Sequence, residues 1–131
     1  MPIKYRLIKK INPMDREAAK KVYAVAIHEN VFKLKELAKE LAARSTTASE
    51  GDTFAVLIGL RDLIKEHLER SDKVVIDGIG SFAMNVSSEG ANSEEEFHQG
   101  LIKKAGVSYQ QDSEMKDFSK TMRYEKLPAK K

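Results

Sequence analysis

The segment from about Gly51 to Glu69 limits the possible folds more than any other part of the chain. Its apolar residues Phe54, Val56, Leu57, Ile58, Leu60, Leu63, Ile64 and Leu68 recur as in a helix, but they occupy more than one face. A helix apolar over so wide an arc has to be covered from several sides. In a chain of 131 residues, long enough for one domain and short for two, a second subunit is the natural source of that cover. Phe54, Leu57, Leu60, Ile64 and Leu68, joined by Phe82 from a later strand and core position, are therefore the expected interface of a homodimer. Ser49, three residues before Asp52, is the expected N-cap, with an acid favourably placed in the first turn.

Around this helix the pattern changes twice. Ahead of it, Leu34, Leu37, Ala38, Leu41 and Ala42 keep the i, i+3, i+4, i+7, i+8 spacing of an amphipathic helix, with lysines and glutamates on the other face. Earlier still, Ile3, Tyr5 and Leu7 alternate with Lys4 and Arg6, the period of a half-buried strand. Asn12-Pro13 ends that run, the stretch from Met14 to Lys20 is polar, and Lys21 to Ile27 reads as an antiparallel neighbour. Beyond the long helix come a strand at Lys73–Asp77, the turn Gly78-Ile79-Gly80, and a strand at Ser81–Val86. A polar arm from Ser87 to Gly100 carries Glu94-Glu95-Glu96. A third strand follows in two pieces, Leu101-Ile102 and Val107-Ser108-Tyr109, interrupted by Lys103-Lys104-Ala105-Gly106. A short helix near Ser113–Lys120, a last edge strand at Met122–Leu127 and a basic tail complete the order.

Charge is unevenly spread. Residues 1–44 hold 11 Lys/Arg against 5 Asp/Glu, whereas residues 73–110 hold 3 against 5. Basic ends suit an anionic partner, although many proteins with basic termini bind nothing. Lys4, Arg6, Lys9, Lys10, Lys20 and Lys21 could track phosphates, or could simply keep an edge strand from pairing with other chains. Gly78 and Gly80 could let a backbone approach DNA closely, or only permit a turn. No cysteine is present, so disulfides and thiolate sites are excluded. His28, His67 and His98 lack metal-ligand spacing, and Asp15, Asp62 and Asp77 form no catalytic set with a nucleophile. We therefore expect no enzyme, no metal, no cofactor and no small-molecule substrate. The N-terminus lacks the apolar core of a secretion signal and no apolar run is long enough for a membrane span, so a cytoplasmic protein is expected.

Taken in order, these residues resemble the bacterial histone-like HU/IHF family. Gly78-Ile79-Gly80-Ser81-Phe82 is similar to that family's turn into its arm-bearing strand. Tyr109-Gln110-Gln111-Asp112-Ser113-Glu114-Met115-Lys116-Asp117 falls where the family has Phe-x-Pro-Gly-x-x-Leu-Lys-Asp. Ile3-Lys4-Tyr5, Tyr23-Ala24-Val25-Ala26, Ala43-Arg44-Ser45-Thr46 and Ser87-Ser88-Glu89-Gly90 look like the longer HU-HIG branch, which adds an N-terminal strand hairpin. The resemblance implies an α+β fold: an extra hairpin (1–30), an HU-like core (31–121) of two helices and a three-stranded antiparallel sheet with arm and short helix, and a terminal strand and tail (122–131), the whole forming a single domain in an intertwined dimer. It also implies a nucleoid-associated architectural protein that binds double-stranded DNA with little sequence preference, with Gly80, Ser81, Lys103 and Lys104 near the DNA. One departure is plain. The family's arm carries a proline that wedges between base pairs, whereas this chain has no proline between Pro13 and Pro128 and has Glu94-Glu95-Glu96 in that region. The alternative is an HU-like dimer that has lost strong DNA affinity and binds proteins through the acidic arm.

Overall fold

A computed structural model describes residues 2–10, 14, 20–44 and 47–128. The expected polar loop after Asn12-Pro13, the Ser45-Thr46 pair and the end of the basic tail lie outside the described residues. Contacts divide the chain into two compact units, Met1–Phe32 with Phe118–Lys131, and Lys33–Asp117.

The first unit is a three-stranded sheet of order β2-β1-β6. Strands β1 (Pro2–Lys10) and β2 (Lys21–Ala26) pair antiparallel, from Tyr5 opposite Ala26 to Lys10 opposite Lys21. Strand β6 (Arg123–Lys126) pairs parallel to β1, with Pro2 opposite Arg123 and Lys4 opposite Glu125. The last strand is thus an edge strand, as its pattern suggested, and its partner is the first strand of the chain.

In the second unit, α1 (Leu34–Arg44) and α2 (Glu50–Glu69) precede an antiparallel sheet of order β3-β4-β5: β3 (Val74–Ile76), β4 (Gly80–Ser88) and β5 (Ile102–Gln111). The expected N-cap forms, with the Asp52 amide donating to Ser49 Oγ at 3.0 Å. At the other end of α2 the Asp72 amide donates to the His67 carbonyl and the Ser71 amide to that of Leu68. Ser71 sits there at φ 67, a left-handed position more often held by glycine. The Asp72 carboxylate lies 2.9 Å from His67 Nδ1 and braces this cap.

Strand β5 corrects the sequence reading. It runs unbroken through Lys103-Lys104-Ala105-Gly106, because β4 supplies a ladder partner at Lys104, Ala105 and Gly106 and the side chains there face solvent. The irregularity is a bulge: Ser87 pairs with Lys104 and Ser88 with Ile102, leaving Lys103 as the extra residue. Helix α3 (Ser113–Lys120) starts where Asp112 Oδ1 accepts the Met115 amide.

Burial is sparse. Among the described residues only Ala38 (0%) and Leu68 (7%) are buried hydrophobics, so each element covers little of its neighbour. On α2, Phe54, Leu57, Ile58 and Ile64 are half-buried, and a groove formed with α1 is lined by Leu34, Leu37, Leu41 and Leu57. Val56, Leu60 and Leu63, which line no part of that groove, stay 70%, 43% and 50% exposed. Phe82, expected in the core, is half-buried, its ring centroid 5.3 Å from that of Tyr109.

Candidate nucleic-acid interface

The sheet of β3, β4 and β5 has two unlike faces, fixed by the two-residue period of its strands. Phe82, Met84 and Val86 share one face with Tyr109, Val107 and Ala105, opposite them in register. The C-terminal turn of α2 meets this face, where Leu68, Met84 and Val107 line a common groove. The other face holds Ser81, Ala83, Asn85 and Ser87 from β4, paired with Gln110, Ser108, Gly106 and Lys104 from β5, and also takes Val75. Short hydroxyls, two amides and one ammonium make it a hydrogen-bonding surface with little charge. Ser108 Oγ donates to the Ala83 carbonyl at 3.2 Å, tying the two strands at its centre.

The expected contact residues separate across these surfaces. Ser81 and Lys104 lie on the polar face, where Lys104 makes no ion pair among the described residues. Lys103, in the bulge, is turned to the arm, with Nζ 3.5 Å from Glu89 Oε1. Gly80 is buried, at φ 155, and a Cβ there would sit 2.4 Å from the Gln110 carbonyl oxygen and 2.6 Å from the Tyr109 ring. Its bareness is required by the close approach of β5, and the Tyr109 hydroxyl locks the preceding turn by donating to the Ile79 carbonyl at 2.8 Å. Asn85, Ser87, Ser108 and Gln110 escaped the sequence reading. A period-two scan of β5 that ignored the lysine pair would have put Lys104, Gly106, Ser108 and Gln110 on one face.

The N-terminal cations separate too. Lys4, Arg6 and Lys10 share one face of their sheet with Lys21, while Lys9 points the other way beside Leu7 and Val22. Lys4 is occupied within the protein: Nζ lies 2.8 Å from both carboxylate oxygens of Glu29. That hydrogen bond, with the charges of Glu29 and Glu125, raises the Lys4 pKa above its ordinary 10.5 despite some desolvation. Arg6 is half-buried, with its Nε buried and unpaired among the described residues. Lys20 is exposed just before β2.

Of the expected interface residues, Leu68 is already covered by its own chain, and Phe54, Leu57, Ile64 and Phe82 are half-covered. Leu60 remains exposed, next to Val56 and Leu63, which the sequence reading had not singled out as interface residues. The arm between β4 and β5 folds back on itself: Ser93 Oγ accepts the Glu96 amide, the Glu89 amide donates to the Leu101 carbonyl, and a 3-10 turn spans Gln99–Leu101. Phe97 stands 41% exposed beside the three glutamates. No described helix is long and apolar enough to cross a membrane.

Comparison with known structures fits this architecture. A protein from Bacteroides vulgatus ATCC 8482, to which bacterial DNA binding is ascribed, superposes with a TM-score of 0.65 at 13% identity over 95% of this chain. The chain spans 48% of that protein's length. The HU chain of an Anabaena HU–DNA cocrystal superposes with a TM-score of 0.54 at 19% identity, covering 69% of this chain and 99% of its own. No curated protein matches. The sequence pattern of HU-HIG, described as an HU domain fused to a wHTH, Ig or glycine-rich motif, matches residues 1–126, and the chain belongs to that family.

Proposed function

We propose that this protein is a non-enzymatic, nucleoid-associated protein that binds duplex DNA with little sequence preference and acts as a homodimer. The polar face of β3, β4 and β5 carries the DNA reading. Apart from Ala83 and Val75 it is built of hydrogen-bonding side chains spread over three paired strands, and the HU partner in the Anabaena cocrystal is DNA. Hydroxyl and amide contacts to phosphate and sugar position a protein without reading bases, which gives weak sequence preference. Among the residues paired in these strands, Lys104 adds one cation to that face.

The dimer reading rests on exposed apolar area. Val56, Leu60 and Leu63 on α2, with Met84, Val86 and Val107 on the apolar sheet face, are the surfaces that a second copy would cover. Gly80, Lys103 and Lys4 are weaker candidates for DNA contact than the sequence suggested, since each already has a partner or a packing role in the fold.

Fluorescence-anisotropy titration of a labelled random duplex of about 30 base pairs at several salt concentrations tests the reading. Submicromolar binding at low salt, weakening linearly in log–log salt, is expected, and absence of binding at about 50 mM salt would overturn it. A second reading has its own support: Glu94, Glu95 and Glu96 stand exposed beside Phe97 on an arm without proline, a surface suited to a basic protein partner. A dimer that does not bind DNA would favour this protein-interaction role.

A further inference from the structure

The first unit presents a cationic surface of its own. In register, Lys4, Arg6, Ile8 and Lys10 of β1 share a face with Lys21, Tyr23 and Val25 of β2 and with Arg123 and Glu125 of β6. Among the described residues the carboxylates at that face gather at one end: Glu29 is bonded to Lys4, and Glu125 lies opposite Lys4 across the parallel pair. Arg6, Lys10, Lys21 and Arg123 make no ion pair among the described residues. Lys10 and Lys21 stand directly opposite each other, so two ammonium-bearing side chains start about 5 Å apart, an arrangement that destabilises a sheet unless an anion lies between them. The row is also long. Arg6 and Lys10 are about 13 Å apart along the strand, and Arg123, beside Pro2, lies about 26 Å from Lys10. Cations strung out at such intervals cannot converge on one small anion, but they match the repeating charges of a phosphate backbone.

We propose that this face of the β2-β1-β6 sheet is a second contact for the phosphate backbone of duplex DNA, distinct from the polar face of β3, β4 and β5. The inference rests on the DNA-binding reading above and adds to it the source of most of the electrostatic affinity. Among the described residues the paired strands of the polar face carry one cation per protomer, whereas this face has four that make no ion pair.

The two contacts separate in the salt dependence of binding. Replacing Lys10, Lys21 and Arg123 together by glutamine removes three phosphate contacts per protomer, and the log–log salt slope should become shallower by about 0.9 for each. Lys104→Gln should change it by about one contact per protomer. Lys21→Glu guards against misfolding as an explanation: it puts an acid directly opposite Lys10, so the sheet should melt at the same temperature or higher while DNA binding weakens by tenfold or more. Slope and affinity in the triple variant equal to those of the unaltered chain would overturn the second contact and leave DNA binding by the polar face standing. Failure of the unaltered chain to bind the duplex would remove both readings.

Discussion

Replacing Leu60 and Leu63 by alanine should convert a dimer into a monomer without damaging the fold of the chain. The two side chains are 43% and 50% exposed on α2 and line no part of the groove that Leu57 forms with α1. Full burial of a leucine side chain contributes about 1.5–3 kcal/mol, so covering the exposed half of each contributes about 1 kcal/mol. An interface with two-fold symmetry uses each residue twice, which makes about 4 kcal/mol in all, or near a thousandfold in the dissociation constant. Sedimentation equilibrium over a range of micromolar concentrations measures this directly. The double variant should sediment as a monomer where the unaltered chain is a dimer, with its far-UV circular dichroism unchanged. Leu68→Ala is the contrasting substitution: Leu68 is 7% exposed within its own chain, so truncation should cost about 2–5 kcal/mol of stability. A dissociation constant for the double variant within about tenfold of the original, with a stable dimer, would show that the partner does not sit on this side of α2.

Other consequences follow from local geometry. Gly80→Ala should cost about 3 kcal/mol, because its Cβ would meet the Gln110 carbonyl and the Tyr109 ring at a φ that side chains avoid, and thermal unfolding should fall by about 10 °C or more. Gly106→Ala, with nothing within 4 Å of the added Cβ, should stay within about 1 kcal/mol; an equal loss at both sites would refute the steric account. In Glu29→Gln the Lys4 pKa, followed by NMR, should return toward 10.5. Because folding raises that pKa, the pair stabilises fully below the ordinary value of 10.5, and its contribution disappears as pH rises through the higher folded-state value. The melting difference between Glu29→Gln and the unaltered chain should therefore persist at neutral pH and close only in strong alkali; a difference that closed below pH 9 would sink the assignment. Ser71→Gly should raise stability by about 1 kcal/mol by relieving the left-handed residue at the end of α2, as read by chemical denaturation.

Local signals in the sequence were strong where one short stretch decides the structure. Ser49 and Asp52 mark the start of α2, Gly78 and Gly80 bracket the turn, and the alternation of Ile3, Tyr5 and Leu7 marks β1. Readings failed where a distant segment decides. Lys103 to Gly106 look like a break in isolation, because neither lysines nor glycine favour a strand, and only pairing with β4 extends β5 through them. The parallel partner of β1 could not be inferred from its pattern, since β6 lies at the far end of the chain. On α2 the apolar residues cover so much of the helix that periodicity could not tell the α1 side from the outward side, so Leu68 was grouped with Leu60 although only the latter is exposed. Likewise, a cluster of lysines in sequence says nothing of face: Lys9 and Lys10 adjoin in the chain and point apart in the sheet.

The parallel pairing of β1 with β6 has a consequence for how the protein is made. The N-terminal hairpin leaves the ribosome first, yet the strand that completes its sheet follows about a hundred residues later, which at about 5–20 residues per second is a delay of roughly 5–20 s. Through that interval one edge of β1 offers unpaired amides and carbonyls to any passing strand. The stretch that β6 will cover, Pro2 to Tyr5, carries one cation, Lys4, whose charge would repel another nascent copy until β6 arrives. Lys4 would thus guard the unfinished sheet before Glu125 comes to lie opposite it in the finished one, and Lys4→Gln should raise aggregation during synthesis even where the purified protein is stable.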